Sequence, residues 1–260
     1  MKRRILCLLL CAAMLVPLCA CGGGGKYKVV KTLDRQEYSI AVRDGDSAYH
    51  YIDRALRELS YEGVVDELAE KWLGSEGAVS FPKGKDALSE LGFVEPRSFT
   101  IGVDLDSYPM CFESGNGYDG FDVELAGRLC EKLGWTLRVQ PIRSEDAYIE
   151  LNSGNIDCAW GGIRLGDGAK NVTELLTYTS TAVVIAGKSN AGGSLGGKTL
   201  VMGTSQYYLD LMTENDRAAA RLGQIARRQG TMLDYFTALD NGECDFILTT
   251  EAAVDYRNRH

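Results

Sequence analysis

Histidine is almost absent from this 260-residue chain, which has only His50 and His260. So few imidazoles leave little room for a His-based triad or a His-rich metal site. Proline is scarce too, at five against 30 glycines, a balance that suits the tight turns of an α/β chain. Basic residues are in deficit. The formal net charge of −8 becomes −11 without Lys2, Arg3 and Arg4, which lie in a segment read below as a removed leader. A surface that acidic repels phosphate backbones and argues against a nucleic-acid partner. Beyond residue 20 there is no long apolar run. With 45% hydrophobic and 25% charged residues, the chain is neither a multi-span membrane protein nor a disordered tail.

Residues 1–20 read as a secretory leader. A basic start precedes an apolar stretch from Ile5 to Ala20, broken only by Pro17, too short for a spanning helix. The stretch ends in LCAC followed by four glycines, a pattern resembling a bacterial lipobox in which Cys21 becomes diacylated. An ordinary signal peptide ending in a chance cysteine is the plainer alternative. Of eight cysteines, Cys7, Cys11 and Cys19 leave with the leader and Cys21 carries lipid, so Cys111, Cys130, Cys158 and Cys244 remain. None forms a C-x-x-C pair. That removes support for a zinc ribbon or thioredoxin-like site and favours buried free thiols.

Apolar periodicity then alternates between strand and helix. Strands are expected at 38–42, 99–103, 136–140, 156–160, 181–186, 199–202 and 245–248. Helices are expected over 48–59, 64–72, 123–133, 145–151, 206–212, 232–239 and from Thr250. Residues 75–95 lose periodicity and read as a linker with at most one helical turn. One internal echo stands out: 151–157 (LNSGNID) and 239–245 (LDNGECD) share L-x-x-G-x-x-D, each between a helix and an apolar strand. Two lobes on one α/β plan would account for it.

FTIGVDLDSYPMCFE, GYDGFDVELAGRLCEKLGW and ELNSGNIDCAWGGI, within 99–165, resemble the type II extracellular solute-binding proteins of polar amino-acid ABC transporters (bacterial family 3). SLGGKTLVMGTSQYY and YFTALDNGECDFILTTEAA resemble the second lobe of that family. Residues 32–74 resemble its closing segment, a returning hinge strand and two final helices, yet here they come first. The resemblance implies a circularly permuted, two-lobe periplasmic-binding-protein-like fold: α/β, each lobe a mixed sheet flanked by helices. The expected division is 1–20 signal peptide, 21–26 lipid tether, 42–180 lobe 1 with 75–95 joining the family's usual termini, and 27–41 plus 181–260 lobe 2. Strands 38–42 and 181–186 would be the hinge crossings.

In open α/β sheets ligands sit beyond the carboxyl ends of the strands. Those ends carry Asp104, Tyr108 and Phe112; Trp160, Gly161, Gly162 and Arg164; Thr204 and Ser205, which open a helix; and Thr250 with Glu251. Core packing is the alternative for Phe112 and Trp160, a plain helix cap for Thr204 and Ser205, and a solvated surface charge for Arg164. The family's carboxylate-gripping arginine falls at Ala169 and its ammonium-receiving aspartate at Thr250, so the resemblance leaves both charges unfilled. Arg164 and Glu251 are the expected substitutes. The implied function is a lipid-anchored, extracytoplasmic, monomeric binding protein. It would capture a small, amino-acid-like carboxylate and deliver it to an ABC permease, with no catalytic residue, metal or cofactor. The alternatives are an enzyme on the same scaffold, resembling cyclohexadienyl dehydratase, and a sensor or degenerate binding module.

Overall fold

The computed structural model describes residues 25–165 and 170–260. The leader, Cys21 and Ala169 lie outside the described residues. In chain order the elements are β1 (Tyr27–Arg43), α1 (Ala48–Tyr61), α2 (Val64–Leu73), β2 (Ser98–Val103), β3 (Phe112–Ser114), β4 (Gly117–Asp119) and α3 (Phe121–Leu133). Next come β5 (Thr136–Pro141), α4 (Ala147–Ser153), β6 (Cys158–Ala159), β7 (Val172–Lys188) and β8 (Thr199–Met202). Then follow α5 (Gln206–Glu214), α6 (Asp216–Ala219), β9 (Gln224–Arg227), α7 (Met232–Asn241), β10 (Phe246–Thr250) and α8 (Glu251–Arg259).

Eight strands form one sheet in the order β5-β2-β6-β1-β7-β10-β8-β9. At its centre, β1 and β7 pair antiparallel from Tyr27↔Lys188 to Arg43↔Val172. On one side β6 runs antiparallel to β1, with β2 and β5 parallel to it. On the other side β10 runs antiparallel to β7, with β8 and β9 parallel to it. Each half is thus one crossing strand followed by three parallel ones, the two-lobe α/β plan. The crossing strands are 17 residues each, far longer than 38–42 and 181–186. The first half of β1 reads KVVKTLDR with little burial, so it has no apolar alternation to announce it. Register shifts at four places bend the β1–β7 ribbon where it passes between lobes.

The repeated heptapeptide has the same job in both lobes. Gly154 and Gly242 end α4 and α7 in the left-handed conformation. Three residues later, Asp157 accepts from the Thr100 N–H at 2.8 Å and pairs with Arg97 at 2.5 Å. Asp245 accepts from the Thr199 N–H at 2.9 Å and pairs with Lys198 at 2.9 Å. Each aspartate pins the start of the neighbouring parallel strand.

In lobe 1, α1, α2 and α3 share one core. Ile52, Leu56 and Leu59 of α1 and Leu68 and Trp72 of α2 meet Phe99, Phe121, Leu125, Leu129 and Trp160. The front segment and 99–165 therefore bury their apolar faces together. Residues 75–95 are packed rather than free. The Ser80 N–H bonds the Tyr178 carbonyl, the Gly84 N–H bonds the Arg57 carbonyl, and Phe81 stacks on Tyr178. Two short 3₁₀ turns, Glu76–Ala78 and Ala87–Glu90, punctuate the strap. In lobe 2, α7 and α8 cover one face of the sheet and α5 the other. Among the described residues, Cys111, Cys130, Cys158 and Cys244 are buried and unbridged. Among the described residues no helix is long and apolar enough to cross a membrane.

Candidate functional site

Helix α3 begins with a buried carboxylate that organises the lobe 1 loops. Asp122 is fully buried and accepts from Trp160 Nε1 at 3.1 Å, the Gly162 N–H at 2.8 Å and the Tyr178 hydroxyl at 2.6 Å. It ties helix, loop and crossing strand together. Burial pushes its carboxyl up to about 7. Beside it, the loop after β2 turns on Asp104, whose Oδ1 accepts from the Asp106 N–H at 3.0 Å and whose Oδ2 accepts from Ser144 N and Oγ. The two loops touch so closely that a Cβ on Gly162 would lie 2.1 Å from that of Ser107, and one on Gly161 would lie 2.3 Å from Val103 Cγ1. The glycine pair serves this loop-to-loop contact.

Facing these loops across the seam is the amino end of α5. Ser205 is the N-cap residue, yet its side chain makes no capping bond. Its hydroxyl is buried with no hydrogen-bond partner among the described residues. A buried hydroxyl left unpaired is costly, and the free N–H groups of a helix start favour an anionic guest. Ser205 and Thr204 line a cavity of about 480 Å³ with Asp104, Asp106, Arg143 and Tyr235. The Tyr235 hydroxyl holds the adjoining turn by donating to the Arg228 and Gly230 carbonyls, each at 3.0 Å. Burial, aided by the negative charge of Asp104, pushes the Asp106 carboxyl up to about 7, against the pull of Arg164.

Arg164 emerges after β6 and crosses the seam. Its guanidinium lies 4.0 Å from the Tyr207 ring centroid and 5.7 Å from that of Tyr208, both on α5. It reaches Asp104 at 3.8 Å and donates to Gln36 Oε1 on β1 at 3.3 Å. Arg164 and Tyr207 line a second cavity, about 730 Å³, with Gln36, Ser144, Glu145 and Asp210.

The structure brings only some of the expected residues together. Asp104, Thr204 and Ser205 share the 480 Å³ cavity, while Arg164 lies in the neighbouring one. Tyr108 is buried against Phe112, Phe236 and Tyr256, and Phe112 lies 5.9 Å from Trp72. Trp160 is in the lobe 1 core. Thr250 caps α8, accepting from the Ala253 N–H at 3.2 Å. Glu251 is exposed and lines a third cavity, about 520 Å³, with Arg35, Glu37 and Asp255. Asp106, Asp122, Gln36, Tyr207 and Tyr235 were not expected at the site. The D-x-D spacing of Asp104 and Asp106 at a strand end was the available signal for the first. Nothing in the sequence marks Tyr207 as the partner of Arg164.

Residues 99–221 match the model of the bacterial extracellular solute-binding proteins, family 3. The match spans 123 of the chain's 260 residues. The chain is 22% identical over 177 residues, 64% of its length, to a membrane-bound lytic murein transglycosylase F of Shewanella pealeana, of which it spans about a third (36%). Among solved structures, it is similar to a histidine-bound ABC uptake transporter substrate-binding protein of Streptococcus pneumoniae. That match has 25% identity and a TM-score of 0.43, covering 61% of this chain and 68% of the other. A periplasmic binding protein of an arginine transport system in Legionella pneumophila matches at 20% identity and a TM-score of 0.42, covering 61% and 71%.

Proposed function

We propose that this solute-binding protein captures a small carboxylate-bearing molecule between its lobes and hands it to an ABC permease. The observation that carries the reading is the Ser205 hydroxyl at the start of α5, unpartnered among the described residues, beside a cavity walled by both lobes. The ligand carboxylate takes the Thr204–Ser205 turn, and any ammonium group takes Asp106, which lies nearer that turn's cavity than Glu251 does. Arg164 is engaged with Asp104 and Tyr207, so it borders the ligand. The test is a thermal-shift screen of the full chain against amino acids, small peptides and organic acids. A solute bound only by the folded state adds about 2.7 kcal/mol at a hundredfold excess over its Kd. A screen in which no carboxylate shifts the melting temperature speaks against the reading.

The permuted order belongs to the same proposal. The Asn258 side chain bonds both the N–H and the carbonyl of Tyr27, at 2.9 Å each. The end of α8 thus adjoins the start of β1, as the family's unpermuted order requires. Lipid anchoring through Cys21 is also proposed, on the LCAC leader. Two acyl chains supply the two hydrophobic signals that stable anchoring needs. Cys21→Ser moves the chain from the detergent to the aqueous phase in a partition assay, and an unchanged partition contradicts the anchor.

A second reading, an enzyme on this scaffold, is favoured by one feature. Asp106 is a half-buried acid whose carboxyl is pushed up to about 7 by desolvation, which suits a general acid. Turnover of the solute that binds, abolished in Asp106→Asn, would establish it; a solute recovered unchanged after binding supports transport.

A further inference from the structure

The seam between the lobes contains a side chain held as a bound ligand would be. Arg164 comes from a lobe 1 loop, yet its guanidinium lies over Tyr207 of lobe 2 at 4.0 Å, with Tyr208 at 5.7 Å. Asp104 faces it at 3.8 Å, and Gln36 of the crossing strand accepts from it at 3.3 Å. The side chain is only 13% exposed. Aromatic faces, a carboxylate and an amide oxygen form a receptor for a planar cation. Its Nε is buried without a partner among the described residues, so the walls leave one donor of their occupant unmet. The walls come from three places: the β2 loop of lobe 1, α5 of lobe 2 and the β1 crossing. Removing the cation removes a contact that links both lobes and the hinge.

We propose that this seam is a guanidinium-recognition site which the chain fills with its own Arg164, so that the lobes close without solute and only a solute bearing a guanidinium group of its own competes for that seat. The proposal rests on the two-lobed solute-binding reading, but its test uses no solute, so the two can fail separately. A latch of this kind makes closure an intramolecular event, with the solute competing against a tethered group.

Hydrogen exchange on the full chain reads the latch directly. In the wild type, without solute, the hydrogen-bonded α5 amides from Leu209 to Glu214 are protected, and in Arg164→Ala they exchange about tenfold faster. Low-millimolar guanidinium chloride restores protection in Arg164→Ala but not in the wild type, with sodium chloride at equal ionic strength as control. Tyr207→Leu keeps Arg164 while removing the ring; it opens the same amides, and guanidinium does not restore them. Unchanged exchange in both variants overturns the proposal. So does guanidinium that protects all three proteins equally, or none. Should Arg164→Ala fail to fold, Tyr207→Leu decides alone: wild-type protection there overturns the latch.

Discussion

The lobes meet along two seams of opposite chemistry. Where α2 meets α8 the contact is aromatic. Trp72 stacks on Tyr256 at 5.5 Å, and Tyr108 reaches from lobe 1 into the lobe 2 cluster beside Phe236. Arg259 donates to the Trp72 and Leu73 carbonyls at 2.9 and 3.0 Å, satisfying acceptors that a helix end leaves open. Where the strand ends meet, the seam is polar: Asp104, Asp106, Arg164 and the unpaired Ser205 hydroxyl, with tyrosine faces around them. Apolar burial adds steady stability, whereas buried polar groups are worth most when every partner is present. The aromatic seam is therefore the fixed edge, and the polar seam is the side that a ligand or a proton can alter.

The sharpest way to break this contrast is on the aromatic side. Trp72 is 4% exposed and donates from Nε1 to Glu124 at 2.7 Å. Trp72→Ala is expected to cost about 3–5 kcal/mol by denaturant unfolding. A cost under about 1 kcal/mol, the range of ordinary surface substitutions, would show that the edge is not fixed.

A smaller effect comes from pH. Asp106 is faced by Asp104, Glu145, Arg164, Tyr208 and Tyr235, and burial holds its carboxyl near 7, as it does that of Asp122. Both lie above the ordinary carboxylate range, so the stability they contribute is complete below about pH 4 and is lost as pH rises through 7. Each group costs at most about 1.4 kcal/mol per pH unit across that window. Glu58, Glu124, Asp240 and Asp245 have lowered values and act in the opposite sense, only as pH falls below the ordinary range. Melting temperature is thus expected to fall from pH 5 to pH 7. Asp106→Asn flattens the slope, and the α8 amides stay protected throughout. A slope that Asp106→Asn leaves untouched removes Asp106 from the seam's titration.

The smallest effect is expected at Arg259, an exposed residue that touches two carbonyls and lies over the Tyr256 ring at 6.0 Å. Arg259→Ala loses about 1 kcal/mol, seen as faster exchange in α8. Solute affinity stays unchanged, because α8 meets α2 away from the polar cavity. A matching loss of affinity would mean that the two seams are not separable.

Much of the fold was legible because its signals are local. The Ala48–Leu59 stripe, the α3 face and the repeated L-x-x-G-x-x-D all lie within single elements, and Asp157 and Asp245 prove to act alike. The crossing strands were legible only in part, since 28–35 is mostly exposed and shows no period. The site was harder to read. Asp122 sits in the first turn of a helix, where an acid ordinarily meets solvent, and only the packed loops show that it is buried. Arg164 and Tyr207 are joined by docking of the lobes, which no sequence spacing records. Thr250 already caps α8, a demand as local as any ligand contact.

The central claim is that the start of α5 receives a carboxylate in the polar seam. Titration calorimetry of the most stabilising solute from the screen, with wild type and Ser205→Ala side by side, tests it most directly. A hydrogen bond to a charged group is worth about 1.5–3 kcal/mol, so Ser205→Ala is expected to weaken binding about tenfold or more. Equal affinity in the two proteins, or tight binding of a solute that carries no carboxylate, would contradict the account.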